Sequence, residues 1–130
     1  MHIKKHFSSG TQWEDFVGYS RAIRTDHLVE VSGTVSVDEN GKVVGKNDAY
    51  EQTRYILTKI KTALEQVGAK LEDVVRTRMY VTDINNWQAI GKAHGEFFRD
   101  IKPASTMVEI SRLIGLDFLI EIEVSAIVDE

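Results

Sequence analysis

The chain contains no cysteine and a single proline, Pro103, and no stretch of it approaches the ~20 apolar residues that a membrane-spanning helix requires. Without cysteine there are no disulfides, no thiol nucleophile, no thiolate zinc site and no cysteine-ligated iron–sulfur cluster. A surplus of positive charge is missing too: sixteen Lys plus Arg face twenty Asp plus Glu, a formal net charge of -4. Phosphate backbones need a concentrated basic surface, so no nucleic-acid partner is expected. Residues 1–10 hold two lysines with no apolar stretch behind them, unlike a secretory signal, and the reading is a cytoplasmic protein with no membrane partner. What is present is a 42% hydrophobic fraction over 130 residues, enough for one self-supporting domain spanning 1–130.

Residues 28–37, LVEVSGTVSV, alternate between apolar and polar. Val29, Val31, Val35 and Val37 share one face of a strand, and Glu30, Ser32, Thr34 and Ser36 the other. Asp38-Glu39-Asn40-Gly41-Lys42 then reads as a hairpin turn, with Val43 and Val44 opening the return strand. A helix follows, capped by Asp48, with Glu51 in its first turn and Gly68 at its end. Thr53, Ile56, Leu57, Ile60, Ala63, Leu64 and Val67 form its apolar stripe, each large member worth ~1.5–3 kcal/mol on burial.

Residues 74–82 read as a long strand with Arg76 and Arg78 on one face and Val75, Met79 and Val81 on the other. Asp83 or Asn86 can cap a second helix that turns Trp87, Ile90, Ala93, His94, Phe97 and Phe98 inward, and Pro103 forbids its continuation. Strands at 106–110 and 119–126 close the chain. The predicted order is β-β-α-β-α-β-β, an α+β domain whose two helices cover one face of the sheet. The other face would bear Glu30, Ser32, Thr34, Arg76, Arg78, Glu109, Glu121 and Glu123. Such a face is either solvated or buried between subunits, and the pattern alone leaves both open.

Several chemical motifs fail on spacing. Gly41 to Asn47 has three residues between its glycines and no hydroxyl where a phosphate loop needs one. His2, His6, His27 and His94 make no metal-ligand pattern, and His94 reads as a half-buried packing residue. There is no Gly-x-Ser-x-Gly elbow and no basic, aromatic-interleaved platform. No metal or cofactor is expected. Glu121 and Glu123 share a strand face roughly 6–7 Å apart, where one carboxyl's pKa can rise for general acid or base work. Glutamates paired with Arg76 or Arg78 would give the same pattern.

Taken together, five segments resemble the RidA/YjgF family of reactive-intermediate deaminases: Gly18-Tyr19-Ser20-Arg21-Ala22; Val31-Ser32-Gly33-Thr34; Asp73 to Thr77 with Val81-Thr82-Asp83; Pro103 to Ile110 with Arg112-Leu113; and Ile120 to Glu123. The similarity covers nearly the whole chain. It implies a chorismate-mutase-like fold and a homotrimer with clefts between subunits. It also implies hydrolysis of imines or enamines to 2-oxo acids and ammonia. On that resemblance Glu121 is the catalytic residue that positions water. Tyr19, Ser32, Gly33, Ser105, Thr106 and Met107 are the substrate-binding residues.

One departure stands out: Ser105 occupies the position of the family's carboxylate-clamping arginine. Losing such a charge-assisted contact costs ~2–5 kcal/mol, or roughly 30-fold to several-thousand-fold for small 2-imino acids. Three readings follow. The protein is a deaminase of altered specificity, or a non-catalytic binder of 2-oxo-acid-like metabolites, or an ordinary imine hydrolase in which Arg76, Arg78 or Arg112 replaces the clamp. Some family members are described as ribonucleases, which the charge of -4 argues against here.

Overall fold

The computed structural model describes residues 4–129. Six strands form one mixed sheet in the order β1-β2-β3-β6-β4-β5. They are β1 (Lys4–Phe7), β2 (Ala22–Thr25), β3 (Leu28–Thr34), β4 (Val74–Val81), β5 (Ala104–Glu109) and β6 (Ile120–Ile127). Only β4 and β5 run parallel; the other pairs are antiparallel. The helices are α1 (Gln12–Val17), α2 (Ala49–Gln66) and α3 (Trp87–Phe98). The long ones, α2 and α3, pack against each other and cover one face of the sheet, as an α+β domain with this pattern should.

Helix α2 follows from its sequence. The Asp48 carboxylate accepts the Glu51 N–H at 3.0 Å, satisfying a first-turn donor. The stripe from Thr53 to Val67 is buried, and Gly68 adopts the left-handed conformation just past the end (φ 82°). Against this stripe lie Val29 and Val31 of β3, Met79 and Val81 of β4, and Ile120, Ile122, Val124 and Ala126 of β6. Gln52, also on α2, is fully buried yet satisfied. It donates to the carbonyls of Gly45 and Asp117 and accepts the Leu119 N–H at 2.9 Å, which fixes the entry to β6.

The N-terminal quarter differs from the sequence-based expectation. β1, α1 and β2 all precede the strand read as the first, so the described order is β-α-β-β-α-β-α-β-β. The expected return strand at Val43 and Val44 reduces to a single bridge, Val37 to Val43. Its turn closes with the Asp38 carboxylate accepting the N–H groups of Asn40 and Lys42 and with Gly41 at φ 81°. Strand β3 is shorter than 28–37 because its register shifts between Val31 and Thr34. One extra residue flips the faces, so Thr34 and Ser36 are buried on the helix side while Val35 and Val37 are only partly covered.

A second irregularity, between Val74 and Arg76, buries Val74 and leaves Val75 exposed, reversing its expected face. Trp87, expected to point inward, is also exposed. Asp83 caps a short 3-10 turn before α3 by accepting the Asn85 N–H, and Asn86 makes no side-chain cap. Among the described residues no helix is long and apolar enough to cross a membrane.

Candidate functional site

The irregularity in β3 does more than shorten the strand. It presents Gly33 to Glu121 of β6, whose carboxyl folds over it. A Cβ added at Gly33 would stand 2.5 Å from Glu121 Oε2 and 2.9 Å from its carboxyl carbon. Only a glycine leaves the carboxyl room in this position. Glu121 is half-buried, and burial raises its pKa above the ordinary glutamate value. Arg21 opposes that shift and Glu123 adds to it.

Arg21 leads into β2. Its backbone is held on both sides: its N–H donates to Phe7 O at 2.9 Å, and Ser32 N–H donates to its carbonyl at 3.0 Å. Its Nη2 donates to Gly33 O at 2.6 Å, and its Cζ lies 5.6 Å from the centroid of the Tyr19 ring. Its Nε is buried without an acceptor, a situation that costs about 1–3 kcal/mol. Ser32 turns its hydroxyl to Ser20 O at 2.7 Å, fixing the same two strands together. Tyr19, Ser32, Gly33 and Glu121 are therefore brought together, with Arg21 among them. In the sequence Arg21 is only one residue of the segment Gly18 to Ala22, because β2 offers just four residues of pattern.

Two further ionisable groups flank this cluster. Lys59 reaches from α2 to the carbonyls of Val35 and Val37 at 3.0 and 2.9 Å, where β3 leaves the sheet. Burial, helped by the positive charge of Arg21, lowers its pKa to about 8. Glu14 of α1 is buried beside Tyr19's loop and accepts from the Ser9 N–H and from the hydroxyls of Ser9 and Thr11. Burial pushes its pKa up, but these hydrogen bonds outweigh it and the carboxyl stays below the ordinary value. A surface hollow of about 420 Å³ lies here, lined by Ser8, Thr11, Glu14 and Tyr19 among others.

The other expected residues lie elsewhere. Ser105 pairs across the sheet with Thr77, which pairs in turn with Val124, three residues beyond Glu121 on β6. Two strand spacings of about 4.8 Å separate β5 from β6, and Ser105 faces the helices while Glu121 faces away. Within one chain, Ser105 and Glu121 do not meet. Thr77 Oγ1 donates to Ser105 Oγ at 2.8 Å and lies 3.0 Å from His94 Nε2. His94 stacks on Phe98 at 4.7 Å, and burial lowers its pKa, which keeps the imidazole neutral near pH 7. Met107 packs its side chain against the core. Thr106 is on the open face, accepting from Arg76 Nη2 at 2.6 Å.

That open face is a hydrogen-bonded network. Arg78 reaches Ser125 Oγ at 3.4 Å, Ser125 donates to Glu30 at 2.7 Å, and Tyr80 donates to Glu123 at 2.6 Å. Thr34 and Glu109, expected on this face, are on the other, Glu109 because it alternates with Ser105 and Met107 and pairs with buried Val81. Arg76 and Arg78, weighed as replacement clamps, are thus tied to Thr106 and Ser125. Arg112 is exposed in the loop after β5. Among the described residues no group of three or more His, Asp or Glu converges as metal ligands. His2 lies outside the described residues.

A sheet of this order backed by two helices, with a glutamate over a strand glycine, defines a fold shared with known proteins. The chain matches the family model described as Endoribonuclease L-PSP over residues 11–128. A crystal structure of a member of the YjgF/YER057c/UK114 family from Mycobacterium tuberculosis superimposes with a TM-score of 0.88 and 44% identity, over 97% of this chain and all of that one (100%). A RutC family protein of Pyrococcus abyssi is 40% identical over 109 residues, 83% of this chain and 84% of the relative. The 3-aminoacrylate deaminase RutC of Acinetobacter baylyi is 38% identical over 104 residues, 80% and 82% of the two chains. The chain belongs to the RidA/YjgF family.

Proposed function

We propose that this chain is the subunit of a homotrimeric hydrolase that releases ammonia from small imines or enamines, with Glu121 as the proton-handling residue. The observation that carries the reading is the half-buried Glu121 carboxyl seated over Gly33 with its pKa raised. A carboxyl lifted toward neutrality serves both halves of the reaction. As carboxylate it takes a proton from water while the oxygen attacks the C=N carbon. As the acid it returns that proton to the nitrogen of the carbinolamine formed from the protonated imine; ammonia then leaves as the regenerated carboxylate takes the hydroxyl proton, and a carbonyl remains. An enamine enters the same sequence after protonation at carbon gives the iminium.

The similarity to a 3-aminoacrylate deaminase supports the reaction class, since that relative's named substrate is an enamine. Because Ser105 and Glu121 do not meet within one chain, the reading requires a cleft made by two subunits, in which Ser105, Thr106 and the backbone near Met107 of one chain complement Glu121, Tyr19, Ser32 and Gly33 of another. The exposed side chains of Phe16, Ile114 and Leu116, bare at 90%, 73% and 97%, are apolar surface that a neighbouring copy would cover.

The test is ammonia release from freshly generated imines and enamines of small amino acids, with the assembly sized by light scattering. The parent is expected to be a trimer that turns over part of the panel, and Glu121→Ala to lose ~10²–10⁴ in rate as a trimer. Equal rates in the two would overturn the role of Glu121, and a monomer at micromolar concentration would overturn the shared cleft. Binding of a 2-oxo acid with no turnover on any substrate would replace the hydrolase by the non-catalytic binder.

A further inference from the structure

We infer that Arg21 is the anion-binding residue of the Glu121 site, receiving the carboxylate of a small 2-oxo, 2-imino or enamino acid. The inference deepens the hydrolase reading and rests on it. A guanidinium presents several N–H donors in a planar fork. Among the described residues Arg21 uses one of them on the protein, Nη2 to Gly33 O at 2.6 Å, and its Nε is buried with no acceptor. The Tyr19 ring centroid lies 5.6 Å from its Cζ. Gly33, whose carbonyl holds the fork, is also the residue over which the Glu121 carboxyl folds. The fork and the reacting carboxyl therefore share one glycine as their platform.

An arginine kept only for the fold would close on the neighbouring carboxylate or saturate its donors on backbone carbonyls. Arg21 does neither: its charge is felt at Glu121, yet the two form no salt bridge. Guanidinium donors that the protein leaves without an acceptor, beside a carboxyl with no hydrogen-bond partner among the described residues, suit a planar anion taken in bidentate fashion, its reacting carbon then held near the glutamate. Lys59 supplies a second reason. It lies close enough for Arg21 to help depress its pKa, so an anion at Arg21 relieves repulsion between two cations. The arginines of the open face are otherwise engaged, Arg76 with Thr106 and Arg78 with Ser125.

The experiment titrates 2-oxobutyrate and its neutral amide into the parent, Arg21→Gln, Arg21→Lys and Glu121→Gln by calorimetry, alongside ammonia release. The parent should bind the acid and discriminate against the amide. Arg21→Gln should bind the acid about 10- to 150-fold more weakly, the range of hydrogen bonds to a charged group. Glu121→Gln should bind it at least as tightly as the parent while releasing no ammonia. Parent-like acid binding by folded Arg21→Gln, or no preference of the parent for acid over amide, overturns the assignment. Should the Gln variant not fold, Arg21→Lys decides: it keeps the charge and loses the fork, so a several-fold loss supports the assignment and parent-like binding overturns it. The two readings fail separately. Intact binding in Arg21→Gln sinks only the anion site, whereas undiminished ammonia release in Glu121→Gln sinks the role of Glu121, and no ammonia release by the parent sinks the hydrolase.

Discussion

Strand β6 carries two different regions on its two sides. Ile120, Ile122 and Val124 are fully buried in the core beneath the helices, while Glu121 and Glu123, the residues between them, lie on the open face. On the helix side, around Ile120, Ile122 and Val124, buried Gln52 has its partners and the packing serves stability. On the open side a carboxyl is half-desolvated over Gly33 and a buried guanidinium N–H goes unpaired, both at a cost to the fold. Strand alternation lets one segment do both, because successive side chains never share an environment. Cost without structural return marks the side where chemistry is expected.

Substitutions one residue apart on β6 should therefore separate the two regions. The largest effect is expected at Ile122→Ala, which opens a cavity beneath α2 and should cost about 2–5 kcal/mol in denaturant unfolding while leaving the pH dependence of stability unchanged. A loss under 1 kcal/mol would mean that the helix-covered side does not carry the fold. The smallest is at Glu121→Gln, and its sign is opposite. The folded-state pKa of Glu121 is raised, so the native protein binds that proton more tightly than the unfolded chain does. The penalty from this group is absent below the ordinary glutamate pKa, grows as pH rises through the raised value, and is complete above it. Glu121→Gln should thus be more stable than the parent near pH 7, with the advantage vanishing as pH falls to the acid range. Destabilisation at neutral pH would show that the carboxyl is a structural acceptor instead.

The same contrast accounts for what was legible in the sequence. The α2 stripe, the Asp48 cap, Gly68 and the alternation in β6 follow from periodicity and cap chemistry, which are local. β1 and β2 are four residues each, too short to show a period, and they exist because β3 offers an edge to pair with. The irregularities at Val31 to Thr34 and Val74 to Arg76 are register events that depend on the partner strand, so Thr34, Ser36 and Val75 lie on the faces opposite to those that simple alternation predicts. The resemblance supplied Glu121, Tyr19, Ser32 and Gly33, and the structure gathers them. Arg21 was hidden because its significance comes from Gly33, twelve residues away across a hairpin. Ser105 was legible as a departure, but not its position on the opposite face of the sheet from Glu121, which only strand order and register reveal.

The most direct test of Glu121 as the proton-handling residue is the pH profile of ammonia release from a small enamine or imine, corrected for the uncatalysed reaction. For the parent the profile should contain an ionisation above the ordinary glutamate range, and Glu121→Gln should lose that ionisation together with the turnover. A Glu121→Gln variant that keeps both the rate and the same ionisation would contradict the account.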